Sequence, residues 1–158
     1  FLAVAMPIQV EGAWIAVTGR FDLPPVILGL AVMSWVAGFD ILYSCQDHDF
    51  DQIAGLHSIP VRFGLAGALR LARFLHLLAV FFMIGLGVSA GLQVVYYVGV
   101  AGIAGLLLYE HRLVTPQDLT QVNTAFMTMN SLVSVAFFVF TLADLLWMGE
   151  ASREWILP

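Results

Sequence analysis

Runs of apolar residues as long as a bilayer is thick recur along this chain. In lipid such a run can satisfy its backbone N–H and C=O groups only by closing them internally, so each reads as a helix. The first, Phe1 to Thr18, is the weakest, because Pro7, Gln9 and Glu11 interrupt it. The second starts after Pro24-Pro25, a good helix opening, and runs to about Tyr43. The third covers about Ala68 to Ala90, and Gly91-Leu92-Gln93 turns into a fourth, Val94 to Tyr109. The fifth runs from about Ala125 to Met148. The expected fold is therefore an all-α membrane protein of about five transmembrane helices, forming a single transmembrane domain over residues 1–158.

Composition supports this and excludes other classes. The chain is 61% hydrophobic and 11% charged, where a soluble domain carries roughly 25% charged residues. It has six Arg, no Lys and a net charge of −5, the wrong sign for a nucleic-acid binder. A single cysteine, Cys45, excludes an intrachain disulfide framework and a multi-cysteine zinc site. The chain begins at Phe1 within an apolar run, without the n-region of a signal peptide, and reads as part of a longer protein.

Two polar connections, Ser44 to Gly67 and Glu110 to Thr124, lie on one side of the membrane because two spans separate them. Arg62, Arg70, Arg73 and Arg112 fall on that side, and Arg20 and Arg153 on the other. By the positive-inside tendency the first side is cytoplasmic, which predicts a multi-pass protein of the cell inner membrane.

Asp40, Tyr43, Asp47 and Asp51 stand at i, i+3, i+7 and i+11 where the second span ends. No Pro or Gly occurs between Phe39 and Gly55, so the helix is expected to continue past the membrane surface with these four side chains in one stripe. Asp47 and Asp51, at i and i+4, can share one cation, while Asp49 and His48 fall off the stripe. Acids beside a membrane span are costly without a partner. Like charges at this spacing repel by a few tenths of a kcal/mol. Divalent metal with phosphate answers both, since Mg²⁺ takes one or two carboxylates plus substrate phosphates. An allylic diphosphate held there can ionise, and a polyprenyl tail explains why the site adjoins membrane helices.

These residues resemble the second aspartate motif, D-x-x-Y-x-x-x-D-x-x-x-D, of the UbiA superfamily of intramembrane aromatic prenyltransferases. The loop Gly55-Leu-His57-Ser58-Ile-Pro60-Val-Arg62-Phe-Gly64 is similar to its 4-hydroxybenzoate polyprenyltransferase branch. So are Gly12-Ala-Trp14-Ile-Ala-Val-Thr-Gly19 and Ala125-Phe-Met-Thr-Met-Asn130. The resemblance implies the last five helices of a nine-helix bundle, with the other aspartate motif, N-D-x-x-D-x-x-x-D, in an N-terminal half absent from this chain. It implies Mg²⁺ as cofactor, with Asp47 and Asp51 as metal ligands and Asp40 and Tyr43 in catalytic, positioning roles. Tyr43 alternatively shields the allylic cation with its ring. Polyprenyl diphosphate and a small aromatic acid are the implied substrates, 4-hydroxybenzoate foremost, in quinone biosynthesis. A naphthoate acceptor of menaquinone synthesis by the futalosine route is the alternative, and a membrane cation transporter a more distant one. The 158-residue chain alone is expected not to turn over.

The remaining polar residues have plainer readings. Arg62 is either a substrate-binding contact to diphosphate or an interfacial anchor. Arg70 and Arg73 read as snorkelling anchors. His57 and Ser58 fit turn chemistry, and His76, alone on an apolar face, fits packing. Asn123, Asn130, Ser131 and Ser134 fit interhelical hydrogen bonds. Gly85, Gly87, Gly99, Gly102 and Gly105 fit close helix packing.

Overall fold

In a computed structural model, which describes residues 2–147, the apolar runs fold as helices throughout. The order is α1 (Leu2–Thr18), α2 (Leu23–Ser44), a 3-10 turn (Cys45–Asp47), α3 (His48–Ile53) and α4 (Ile59–Ser89). Then come α5 (Val94–Leu113), α6 (Val122–Thr124), a π-helical segment (Ala125–Met129) and α7 (Asn130–Trp147). Four stretches are long and apolar enough to cross a membrane: Leu23–Ile53, Ile59–Ser89, Val94–Leu113 and Val122–Trp147. The all-α expectation of five long helices holds, with α1 the weakest: its 17 residues reach only about 25 Å at 1.5 Å per residue. Phe1, the expected helix end at Met148, and Arg153 lie outside the described residues.

Pro24 and Pro25 do open α2, where a missing N–H costs nothing. The hairpin before it is pinned by Asp22, whose Oδ2 accepts the Trp14 indole N–H at 2.7 Å and lies 3.5 Å from Arg20 Nε. Each long helix then packs on its neighbour: α1 on α2, α2 on α4, α4 on α5, and α5 on α7.

Two apolar clusters hold the bundle. One joins Ala31 of α2, Met83 and Leu86 of α4, Tyr96, Val100 and Ile103 of α5, and Val133 of α7. The other lies at the aspartate end, where Ile41, Leu42 and Cys45 pack on Ala68, Leu69 and Ala72 of α4 and on Val114, Val122 and Ala125. Cys45 is fully buried there and its thiol donates to the Ile41 carbonyl at 3.4 Å, so it is a packing residue.

Close approach depends on a few glycines. A Cβ on Gly99 of α5 would fall 2.4 Å from Phe140 Cβ and 2.6 Å from its Cγ. These atoms sit at the root of a side chain and cannot swing away. Gly99→Ala is therefore expected to destabilise the bundle by about 1–3 kcal/mol, read as a lower unfolding midpoint in detergent. Gly87 is similarly tight against Tyr96 and Tyr97, whereas Gly102 and Gly105 face open space and carry no such packing role.

Several boundaries differ from the sequence reading. The connection from Ser44 to Gly67 is largely helical: only residues 54–58 lie between α3 and α4. Gly64, at φ +69°, breaks α4 after one turn, which is why the apolar run becomes continuous only beyond it. α5 continues past Tyr109 to Leu113, so Glu110 is not in a loop but fully buried in a helix. Ser131 and Ser134 donate to Met127 and Asn130 carbonyls of their own helix, at 2.8 and 2.9 Å, rather than across helices.

Candidate functional site

The aspartate stripe is carried by two helices with a tight turn between them. Asp40 and Tyr43 belong to the last turns of α2, Asp47 closes the 3-10 turn, and Asp51 lies on α3. The uninterrupted α-helix expected here is thus tightened at Cys45–Asp47. Three residues at 3.0 rather than 3.6 per turn rotate Asp47 and Asp51 by about 60° relative to Asp40 and Tyr43. Asp40, Tyr43 and Asp47 are exposed and Asp51 is half-buried.

Asp47 stands at the N-cap position of α3 yet makes no side-chain cap bond, so its carboxylate is uncommitted within the fold. Asp49, by contrast, lies 2.9 Å from His48 Nδ1. Beneath the turn, Leu42 and Cys45 are wholly buried and anchor the backbone that presents the acids. The carboxylates are therefore set on a packed base and left open to ligand.

An aromatic wall flanks the acids. Trp35 and Phe39, one turn apart on α2, meet edge-on with ring centroids 5.6 Å apart. Phe126 packs against both Phe39, at 5.3 Å, and Tyr43, at 4.4 Å. Phe126 rides on the π-helical segment Ala125–Met129, where the wider turn displaces side chains from their α-helical phase. It is a residue the spacing of the sequence does not mark, although it lies in the tract that resembles the prenyltransferase branch.

Arg62 is not drawn to the acids. It sits in the short turn before Gly64, exposed, with its guanidinium 5.7 Å over the Phe63 ring. Among the described residues it makes no ion pair with Asp47 or Asp51. Ser58 takes the N-cap position of α4, but its hydroxyl makes no cap bond.

His76, expected alone on an apolar face, meets polar partners from the neighbouring helix. Its Nδ1 lies 3.0 Å from His111 Nε2 and 3.5 Å from Glu110 Oε2 of α5. Gly38 of α2 admits the ring, since a Cβ there would meet His76 Cδ2 at 2.3 Å. This polar knot between α4 and α5 was not visible from residue spacing, because it depends on which helices are neighbours.

Could the acids hold a divalent cation? Among the described residues no three His, Cys, Asp or Glu side chains converge into a metal-holding group. Asp47 and Asp51 are the residues that could hold such an ion, since Mg²⁺ takes one or two carboxylates and completes its shell with water and phosphate.

Residues 1–132 match the model of the UbiA prenyltransferase family. The chain belongs to that family. It is 28% identical over 146 residues to a 4-hydroxybenzoate octaprenyltransferase of Nitrosospira multiformis, covering 92% of this chain and 50% of the relative. Enzymes of the same name from Sodalis glossinidius and Aeromonas salmonicida are each 31% identical over 150 residues, covering 92% of this chain and 49% and 50% of theirs. The chain thus spans about half the length of the relatives it matches. No solved structure matches it. In this family context the stripe of Asp40, Tyr43, Asp47 and Asp51 is the strongest candidate site on the chain.

Proposed function

We propose that the stripe is one wall of a site that transfers a polyprenyl group from polyprenyl diphosphate to an aromatic acid, with 4-hydroxybenzoate as acceptor. The observation that carries this reading is the uncommitted carboxylate pair Asp47 and Asp51, set beside an aromatic wall at the end of a membrane helix. Bound Mg²⁺ would neutralise charge on the diphosphate leaving group. Asp47 and Asp51 would hold that ion, and Asp40 would orient the ion or the diphosphate from about two turns further in. The C–O bond to diphosphate breaks with its electron pair leaving on oxygen, and an allylic cation remains. The π faces of Tyr43 and Phe126, 4.4 Å apart, are suited to that cation. A ring carbon of the acceptor then bonds to it and releases its proton. The names of the relatives and the membrane helices support the substrates, and the acidic stripe on the Arg-rich side supports an opening toward the cytoplasmic face of the inner membrane.

The deciding experiment offers the intact protein, in membranes, polyprenyl diphosphate with 4-hydroxybenzoate or with a naphthoate, with and without Mg²⁺. Prenylated 4-hydroxybenzoate formed only with Mg²⁺ is the expected product. Product from the naphthoate alone would replace the acceptor, and cation flux without diphosphate would replace the enzyme with a transporter.

A further inference from the structure

A cavity of 430 Å³ opens between α4 and α5 at the same end of the bundle as the aspartates. Its polar end is formed by Arg73, His76, His111 and Arg112, and its other end by apolar side chains including Leu77 and Leu108. The polar end is cationic in a chain whose net charge is −5. Neither Arg73 nor Arg112 makes an ion pair among the described residues, and both are exposed. Arg73 Nη2 donates to the His111 carbonyl at 3.5 Å, which ties the two helices together at the cavity mouth. Glu110, the nearby carboxylate, does not line the cavity and faces His76 from behind.

The axial layout is that of an amphiphile. From Arg73 to Val80 the groove descends seven residues along α4, about 10 Å at 1.5 Å per residue. Leu77 and Leu108 are 64% and 62% exposed, so the lower walls present apolar surface. Two guanidinium groups above an apolar slot match a phosphate headgroup carrying a hydrocarbon tail.

We propose that this cavity is a binding site for an anionic phospholipid, with the phosphate between Arg73 and Arg112 and an acyl chain along Leu77 and Leu108. Its lining lies on α4 and α5, whereas the aspartate stripe runs from α2 to α3.

The test uses the intact protein extracted from bilayers of phosphatidylethanolamine and phosphatidylglycerol, with retained lipid counted by native mass spectrometry. The wild type is expected to keep about one phosphatidylglycerol, and the double variant Arg73→Gln/Arg112→Gln to keep about fivefold less. Arg73→Lys/Arg112→Lys should keep most of it, and Leu108→Trp, which fills the slot but leaves both charges, should lose it. Unchanged helicity by circular dichroism verifies that each variant is folded. Equal retention of phosphatidylethanolamine, or no loss in the Gln variants, overturns the assignment. So does inorganic phosphate binding that depends on both arginines while no lipid is retained, since the ligand is then a free anion.

Discussion

Replacing Asp47 by Asn in the intact protein should lower Mg²⁺-dependent prenyl transfer by about a hundredfold or more, the scale of losing one stabilising group at a developing charge. Asn keeps the size of the side chain and removes the charge that a hard cation requires. Asp47 is exposed and makes no side-chain cap bond, so the fold should hardly respond. The signature is a fall in activity with an unaltered unfolding midpoint. Asp51→Asn should behave alike. Asp49→Asn, two residues from either of these acids, should remain near wild type because that carboxylate is engaged by His48. Unchanged turnover in Asp47→Asn would remove the ligand role. Equal loss in all three variants would reduce the effect to the net charge of the segment.

The spans were legible because hydrocarbon imposes one solution on a long apolar run, and Pro24-Pro25 and Gly91 mark boundaries by backbone geometry alone. The acids of the stripe were legible for a related reason: their i, i+3, i+7 and i+11 spacing is local, and a helix converts local spacing into a shared face. What spacing does not encode is a change of helical pitch. The 3-10 turn at Cys45–Asp47 turns the outer pair of acids about the helix axis, and the π segment carries Phe126 to Tyr43. Both depend on packing: Cys45 and Ala125, at the edges of these irregular turns, belong to the same buried cluster. The knot of His76, Glu110 and His111 was illegible for a stronger reason. Its members are 34 or more positions apart in sequence or adjacent on one helix, and only the pairing of α4 with α5 joins them.

Asp144 shows the opposite use of an aspartate and should give the largest stability loss. It lies near the end of α7, wholly buried, and reaches across to the start of α5. Its Oδ2 accepts the Gln93 N–H at 2.8 Å and its Oδ1 the Tyr96 N–H at 3.0 Å. Gln93 is the N-cap of α5 but makes no side-chain cap bond of its own, so a carboxylate from a distant helix caps it instead. The first N–H groups of a helix have no intrahelical partner, and their dipoles favour negative charge. Hydrogen bonds to a charged group contribute about 1.5–3 kcal/mol each. Asp144→Ala is therefore expected to cost about 3 kcal/mol or more, measured by denaturant unfolding in detergent. Asp144→Asn retains one acceptor oxygen but turns an amide N–H₂ toward the other donor, so it should fall between the wild type and Asp144→Ala. Activity per folded molecule should stay close to wild type in both, because this end of α5 is the one remote from the aspartate stripe. If Asp144→Ala leaves the unfolding midpoint in place, the cap does not hold α5 to α7. The contrast with Asp47 then follows from partners rather than residue type: a carboxylate with every oxygen satisfied inside the protein builds the fold, and one left uncommitted on a packed base is available to a ligand.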